Sequence, residues 1–288
     1  MTRVAWFTTV ILVGVGITLP AQNPSVFEVA SVKQNPSGES RWTFNLGAPR
    51  PPGLPATAPQ LGPPGTVTIT NAPLRFIIEQ AYSLPLQLGR FMLVGGSEKI
   101  LSMQFDIRAK PPEGAPQSQM LPMLQTLLAD RFKLRTHRET RQVPIYAIVV
   151  ARQGRLGPEI RESRHDCDAL RAAGAKPTDA DKPVDSKGRD LCWRNIDFGA
   201  AQGVRYAGPL AMLATRGAQP YVDRPVVDAT GLTGNYEWQL TFTMRDTPDS
   251  TVPSIYTAFQ EQLGLKLEPR TGPFEVFVID SVEMPTPD

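Results

Sequence analysis

Two sets of residues occur twice in this chain, in the same order and about 130 residues apart. Ala72-Pro73-Leu74, opening the run Leu74-Arg75-Phe76-Ile77-Ile78, is echoed by Gly208-Pro209-Leu210, opening Leu210-Ala211-Met212-Leu213. Phe132-Lys133-Leu134, followed by Arg141, Pro144 and Ile145 to Val150, is echoed by Leu265-Lys266-Leu267, followed by Arg270, Pro273 and Phe274 to Ile279. Ordered matches at nearly constant spacing are the mark of a unit copied in tandem, so the two halves should fold alike. The repeat concerns architecture and carries no chemistry of its own.

Period-two alternation in Val26 to Val32 and the β-branched run Thr66 to Thr70 predict strands. Asn71 and Pro73 suit a helix start, with Leu74, Ile77, Ile78 and Ala81 at helical spacing. Leu93-Val94 and Phe105 to Ala109 read as strands about a Gly95-Gly96 turn. Met120 to Phe132 reads as a helix with Met123, Leu124, Leu127 and Leu128 on one face. Lys133 to Glu139 and Pro144 to Ala151 then form a predicted hairpin. The second half rehearses this order: Pro209 to Gly217 helical, Pro225-Val226-Val227 and Tyr236 to Met244 as strands, Ser254 to Leu263 helical, and Lys266 to Pro269 with Phe274 to Val282 as a closing hairpin. With 29 prolines and 23 glycines breaking long helices, the expected fold is α+β: two homologous halves of short helices packed on antiparallel sheets.

Arg3 followed by the charge-free apolar run Val4 to Leu19 and Pro20-Ala21 reads as a signal peptide over residues 1–21. That run is short of the roughly 20 residues that cross a bilayer, and no membrane span is expected after the signal is removed. Residues 22–65 hold an N-terminal strand and a Pro/Gly-rich loop, with seven prolines between Gly47 and Gly65. Residues 66–151 form the first half, 152–202 a charged insertion and 203–288 the second half. The only cysteines, Cys167 and Cys192, lie in the insertion, and an oxidising compartment favours their bonding to each other. Such a bridge would stabilise the fold by about 3 kcal/mol.

A net charge of +2 gives no reason to expect nucleic acid. The chain has two histidines, His137 and His165, and no zinc, serine-hydrolase or nucleotide-loop signature. Gly95-Gly96-Ser97-Glu98-Lys99 reads as a turn before strand pattern resumes. Asp228-Ala229-Thr230-Gly231 has one residue too many for an aspartic-protease signature, and its counterpart, Gly95-Gly96, has no acid, so Asp228, Gly231 and Gly234 read as turn residues. Tyr236 and Trp238 share a strand face, either as core or as a sugar-stacking platform. The basic cluster Arg131 to Arg141 puts Lys133, Arg135 and His137 on one face. It is either a solvated surface or an anion-binding one, with Lys133, Arg135 and Arg141 as its candidate residues.

Phe27-Glu28-Val29-Ala30-Ser31-Val32-Lys33, the segment Leu127 to Leu134 followed by His137-Arg138-Glu139, Asp228 to Tyr236, and the closing Glu261 to Leu267 with Val278-Ile279-Asp280 resemble the soil-associated secreted proteins of unknown function expanded in soil bacteria. The resemblance implies no established activity, catalytic residue or cofactor. Similar domains follow membrane metallopeptidases of the β-lactam-sensor type, whose zinc motif is missing here. Each half also loosely resembles the small modules at the N-termini of secretins and TonB-dependent receptors, a likeness of fold alone.

The expectation is therefore an exported protein, periplasmic or extracellular, that is not an enzyme and serves as a binding or interaction module. No cofactor or metal is implied. Its partner is unknown, an envelope or extracellular polymer or protein being the candidates. The alternatives are an extracytoplasmic hydrolase with unidentified carboxylates and a structural envelope protein.

Overall fold

A computed structural model describes residues 25–47, 65–85, 87–152, 155–174, 183–184, 188, 190–192, 202–243 and 251–286. The expected signal peptide, the proline-rich stretch 48–64 and Met244 lie outside the described residues. The first half runs β1 (Val29–Gln34), β2 (Thr43–Leu46), β3 (Val67–Pro73), α1 (Leu74–Ala81), α2 (Gly89–Met92), β4 (Leu93–Gly95), α3 (Glu98–Leu101), β5 (Gln104–Lys110), α4 (Met120–Arg131) and β6 (Arg135–Val150). The second runs β7 (Ile160–Glu162), α5 (Cys167–Ala172), β8 (Gln202–Pro209), a π-helical turn at Leu213–Ala218, β9 (Val226–Asp228), β10 (Asn235–Phe242), α6 (Ile255–Leu263) and β11 (Leu265–Ser281). Short helices on antiparallel and mixed sheets make this an α+β fold.

Strand, helix, short strand, strand, helix, long strand occurs from β3 to β6 and again from β8 to β11, with α2 and α3 as extra turns in the first half. One sheet has the order β1-β5-β3-β2, another β7-β10-β8. Ala72 faces Phe105 and Pro73 faces Gln104, while Gly208 faces Tyr236 and Pro209 faces Asn235.

The expected hairpins are not formed. β6 and β11 are unbroken strands of 16 and 17 residues, paired antiparallel with each other from Arg135↔Ser281 to Val150↔Leu265. The prolines were misleading as turn signals. Among the described residues, Pro144 and Pro273 sit where neither strand has a third neighbour, and Pro269 lies where β11 has none on its outer side, so a missing N–H breaks no outer ladder. Towards its ends the ribbon gains neighbours: β4 runs parallel to β11 at Phe277 to Ile279, and β9 parallel to β6 at Tyr146 to Ile148.

Each long strand therefore begins against its own half and finishes in the other. The first core, around Ile69, Ile77, Phe105, Leu124 and Phe132, takes in Phe277 and Ile279 from β11. The second, around Trp238, Leu240, Phe259 and Leu263, takes in Ile148 from β6. Each such buried side chain contributes about 2 kcal/mol, so both lobes clamp the ribbon.

Asn71 is not a helix cap. It is 3% exposed with φ 55°, in a bulge that shifts the β3–β5 register between Ile69 and Ala72. Its Nδ2 donates to the carbonyls of Glu39 and Arg41, and its N–H donates to Asp106 Oδ1. An asparagine tolerates this left-handed position and ties the segment before β2 to the sheet. Ser97 leads into the short helix α3, so the connection read as a turn over Gly95 to Lys99 carries one helical turn before strand pattern resumes at β5. Gly95 and Gly96 do form the turn, with φ 80° and 69°. The Asp228 carboxylate accepts bonds from the Thr230 N–H and hydroxyl, as a turn residue should. The segment expected as a surface insertion lends more than that: β7 pairs with β10, and Ile160, Cys167, Leu191 and Cys192 are buried in the second core. Cys167 and Cys192 are bonded.

Candidate functional site

Each lobe ends a helix and starts its long strand through one left-handed residue. After α4 it is Lys133, with φ 50°; after α6 it is Gly264, with φ 67°. The last carbonyls of a helix need partners, and at both places the tail of the other long strand supplies them. Glu283 N–H donates to Phe132 O and Ser281 Oγ to Lys133 O. At the opposite end, Ala151 N–H donates to Gly264 O, Gly157 N–H to Leu263 O, and Glu159 N–H to Gln262 O. The tail does not fill the space beside the turn, so both ribbon ends carry a hollow.

The first hollow, of about 570 Å³, is lined by Lys133, Arg135, Asp280, Ser281 and Glu283. Among the described residues, neither Lys133 nor Arg135 has a carboxylate within ion-pairing distance. Lys133 reaches the hollow from the turn and not from a strand face, since β6 starts at Arg135. Arg141, the third candidate, is elsewhere: its Nε is held by Glu139. Asp280 is engaged by His137, whose Nδ1 lies 2.9 Å from Oδ1, with Nε2 of the same ring 3.6 Å from Glu139. The bond to Asp280, aided by Glu139, holds the His137 pKa above the usual imidazole value. An NMR titration should place His137 above a free imidazole, and Asp280→Asn should return it towards the ordinary value.

The second hollow, of about 600 Å³, is lined by the tail at Ala151 and Arg152 and again from Arg155 to Pro158, Leu156 included, and by Gln260, Glu261 and Gly264. Both volumes fall in the range of roughly 300–1,000 Å³ typical of small-molecule sites. A smaller one of about 240 Å³, between Phe27 and Leu127, does not. Arg152 and Arg155 went unremarked in the sequence because their segment read as an insertion. The sequence repeat set Lys133 against Lys266, which lies inside β11, whereas the structure matches Lys133 with Gly264 two positions earlier; only that match of helix-ending residues would have found them.

Other polar clusters serve the fold. Asp168, at the start of α5, pairs with Arg171 and Arg216, and both guanidinium groups lie over the Tyr206 ring. Burial, with the Asp168 carboxylate beside it, pushes the Tyr206 hydroxyl up to about 12, so it stays protonated and the cluster pins α5 to β8. Tyr236 and Trp238 are 4% and 1% exposed, which makes them core and not a platform. Among the described residues the exposed aromatics are Trp42, tilted against Phe76 with ring centres 4.0 Å apart, and Tyr256. Burial raises the Glu79 carboxyl, but two-carboxylate hydrolysis needs a second acid across the scissile bond. Among the described residues no group of three or more His, Cys, Asp or Glu is arranged to hold a metal ion, and no helix is long and apolar enough to cross a membrane.

The family described as protein of unknown function DUF3738 matches residues 75–282, more than half of the chain. The chain belongs to that family. No curated protein and no solved structure matches it. The DUF3738 stretch begins in α1 and takes in the whole ribbon and all four hollow cations, Lys133, Arg135, Arg152 and Arg155, while β1 to β3 precede it.

Proposed function

We propose that this DUF3738 protein is a non-catalytic extracytoplasmic binding module that holds an anionic ligand in the hollow at Lys133 and Arg135. The observation that carries the reading is the backbone of Lys133. A left-handed residue after a helix is usually glycine, because a Cβ there costs about 1–2 kcal/mol. At this position the chain carries a lysine, whose side chain lines the hollow. Strain of this kind collects at binding sites. The bonded pair of cysteines and the resemblance to secreted proteins support a place outside the cytoplasm.

Charge sets the pH dependence. Lys133 and Arg135 face the carboxylates of Asp280 and Glu283, while Glu139, on the strand that bears His137, is shared with Arg141. When His137 is protonated it offsets Asp280 and the hollow becomes net positive. Its raised pKa means that this state is present at low pH and is lost as pH rises through that value. Retention on a polygalacturonate matrix should therefore be stronger near pH 5 than near pH 8 and should weaken with salt.

Lys133→Gly is the informative variant. It should leave the fold unharmed or more stable by about 1 kcal/mol, since glycine relieves the left-handed strain, yet cut retention. Lower retention together with an unchanged or higher melting temperature supports the reading. Unchanged retention for Lys133→Gly combined with Arg135→Gln removes it.

A further inference from the structure

We infer that the hollow at the far end of the ribbon, lined by Arg152, Arg155, Gln260 and Glu261, is a second site for the same chemistry, and that the protein is a two-ended binder of acidic polysaccharide. The inference takes its ligand charge from the function proposed above, but it rests on a different set of residues. The two hollows occupy matching positions, each between a left-handed turn that ends a helix and the outgoing tail of the partner long strand. This match is one of structure and does not depend on common descent.

Their polar linings agree in kind. The first has two cations, two carboxylates and a hydroxyl; the second has two cations, a carboxylate and an amide. Among the described residues Arg152 and Arg155, like Lys133 and Arg135, have no carboxylate within ion-pairing distance. Cations alone would suit any anion, phosphate included. Carboxylates and an amide beside them suit a ligand that also brings hydroxyl groups, because the acids accept O–H bonds while the cations hold a carboxylate. A uronic acid chain offers both. A lipid is poorly matched by the first hollow, which no apolar side chain lines, and in the second Ala151, Leu156 and Pro158 stand beside four polar side chains. Nucleic acid is opposed by a net charge of only +2.

Separation gives the pair its meaning. A strand of 16 residues spans roughly 50 Å at about 3.3 Å per residue. One short oligomer cannot reach both hollows, whereas a long chain can, and two chains can be joined through one protein. Bivalency then raises retention on a polymer without any new contact.

The test uses the full chain and trigalacturonate in calorimetric titration, with polygalacturonate retention alongside. Two bound trigalacturonates per protein are expected. Arg152→Gln with Arg155→Gln should reduce that to one, as should Lys133→Gly with Arg135→Gln, and either pair should weaken polymer retention by roughly tenfold. All four changes are at exposed side chains, and an unchanged melting temperature would show the fold intact. If the Lys133 and Arg135 pair alone abolishes binding while the Arg152 and Arg155 pair changes nothing, the second site is refuted and the proposed function stands. If neither pair matters, both fail. Capture by phosphatidylglycerol vesicles or binding of inorganic phosphate, without trigalacturonate binding, would overturn the polysaccharide assignment.

Discussion

Gly264→Ala should destabilise the protein by about 3–5 kcal/mol, measured as a shift of the urea midpoint at constant slope. Two effects add. At φ 67° an alanine meets the left-handed penalty of about 1–2 kcal/mol. A Cβ at that position would also lie 2.6 Å from the Gly157 nitrogen and 2.9 Å from the Arg155 carbonyl oxygen. Both are backbone atoms of the tail that clasps α6, so relief requires the tail to move. Its N–H groups are the partners of the Gln262, Leu263 and Gly264 carbonyls, and each buried group left unpaired costs about 1–3 kcal/mol more. The contrast with Lys133 is direct: at the matching place in the first lobe a side chain is tolerated, and its removal should be neutral or stabilising. Equal responses to Gly264→Ala and Lys133→Gly would contradict the packing described here.

Loss of the disulfide should be nearly as costly. Cys167 and Cys192 are bonded across a sequence separation of 25, which in the chain-entropy view contributes about 3 kcal/mol. Both sulfurs lie in the second core, with Cys167 0% and Cys192 1% exposed, so their replacement also loosens packing against Ile160 and Leu191. Cys167→Ala with Cys192→Ala should lower the melting temperature by about 5–10 °C. Reductant should leave the native protein unchanged until it unfolds. A thiol released rapidly from native protein by mild reductant would mean that the bridge is exposed.

Much of the fold was legible because it follows from side-chain pattern. The helix at Met120–Arg131 announced itself through Met123, Leu124, Leu127 and Leu128, and Ser254 caps α6 with a bond from the Thr257 N–H. The ribbon was not legible. Pro144 and Pro273 look like turn formers in sequence, and only the absence of a third strand beside them makes them compatible with a ladder. That is a fact about neighbours, which local pattern does not contain. Asn71 failed for the same reason, since a buried asparagine with partners 30 and 35 residues away looks like a cap when read beside Pro73. Of the candidate cations, Lys133 and Arg135 do share a hollow, while Arg141 is held by a glutamate two positions away on its own strand. Arg152 and Arg155 depended on the match between the two ribbon ends, which needed the pairing of β6 with β11.

That pairing also sets the order of events when the protein is made. The sheet edge at Leu93 to Gly95 is completed by Phe277 to Ile279, so the first lobe lacks a strand until nearly the whole chain has been synthesised. Contacts of such sequence separation form slowly, and incomplete sheets expose sticky edges in the meantime. In the extracytoplasmic placement proposed above this delay would have a use: while the last strand was still inside, the first half could not close, and the polypeptide would remain threadable.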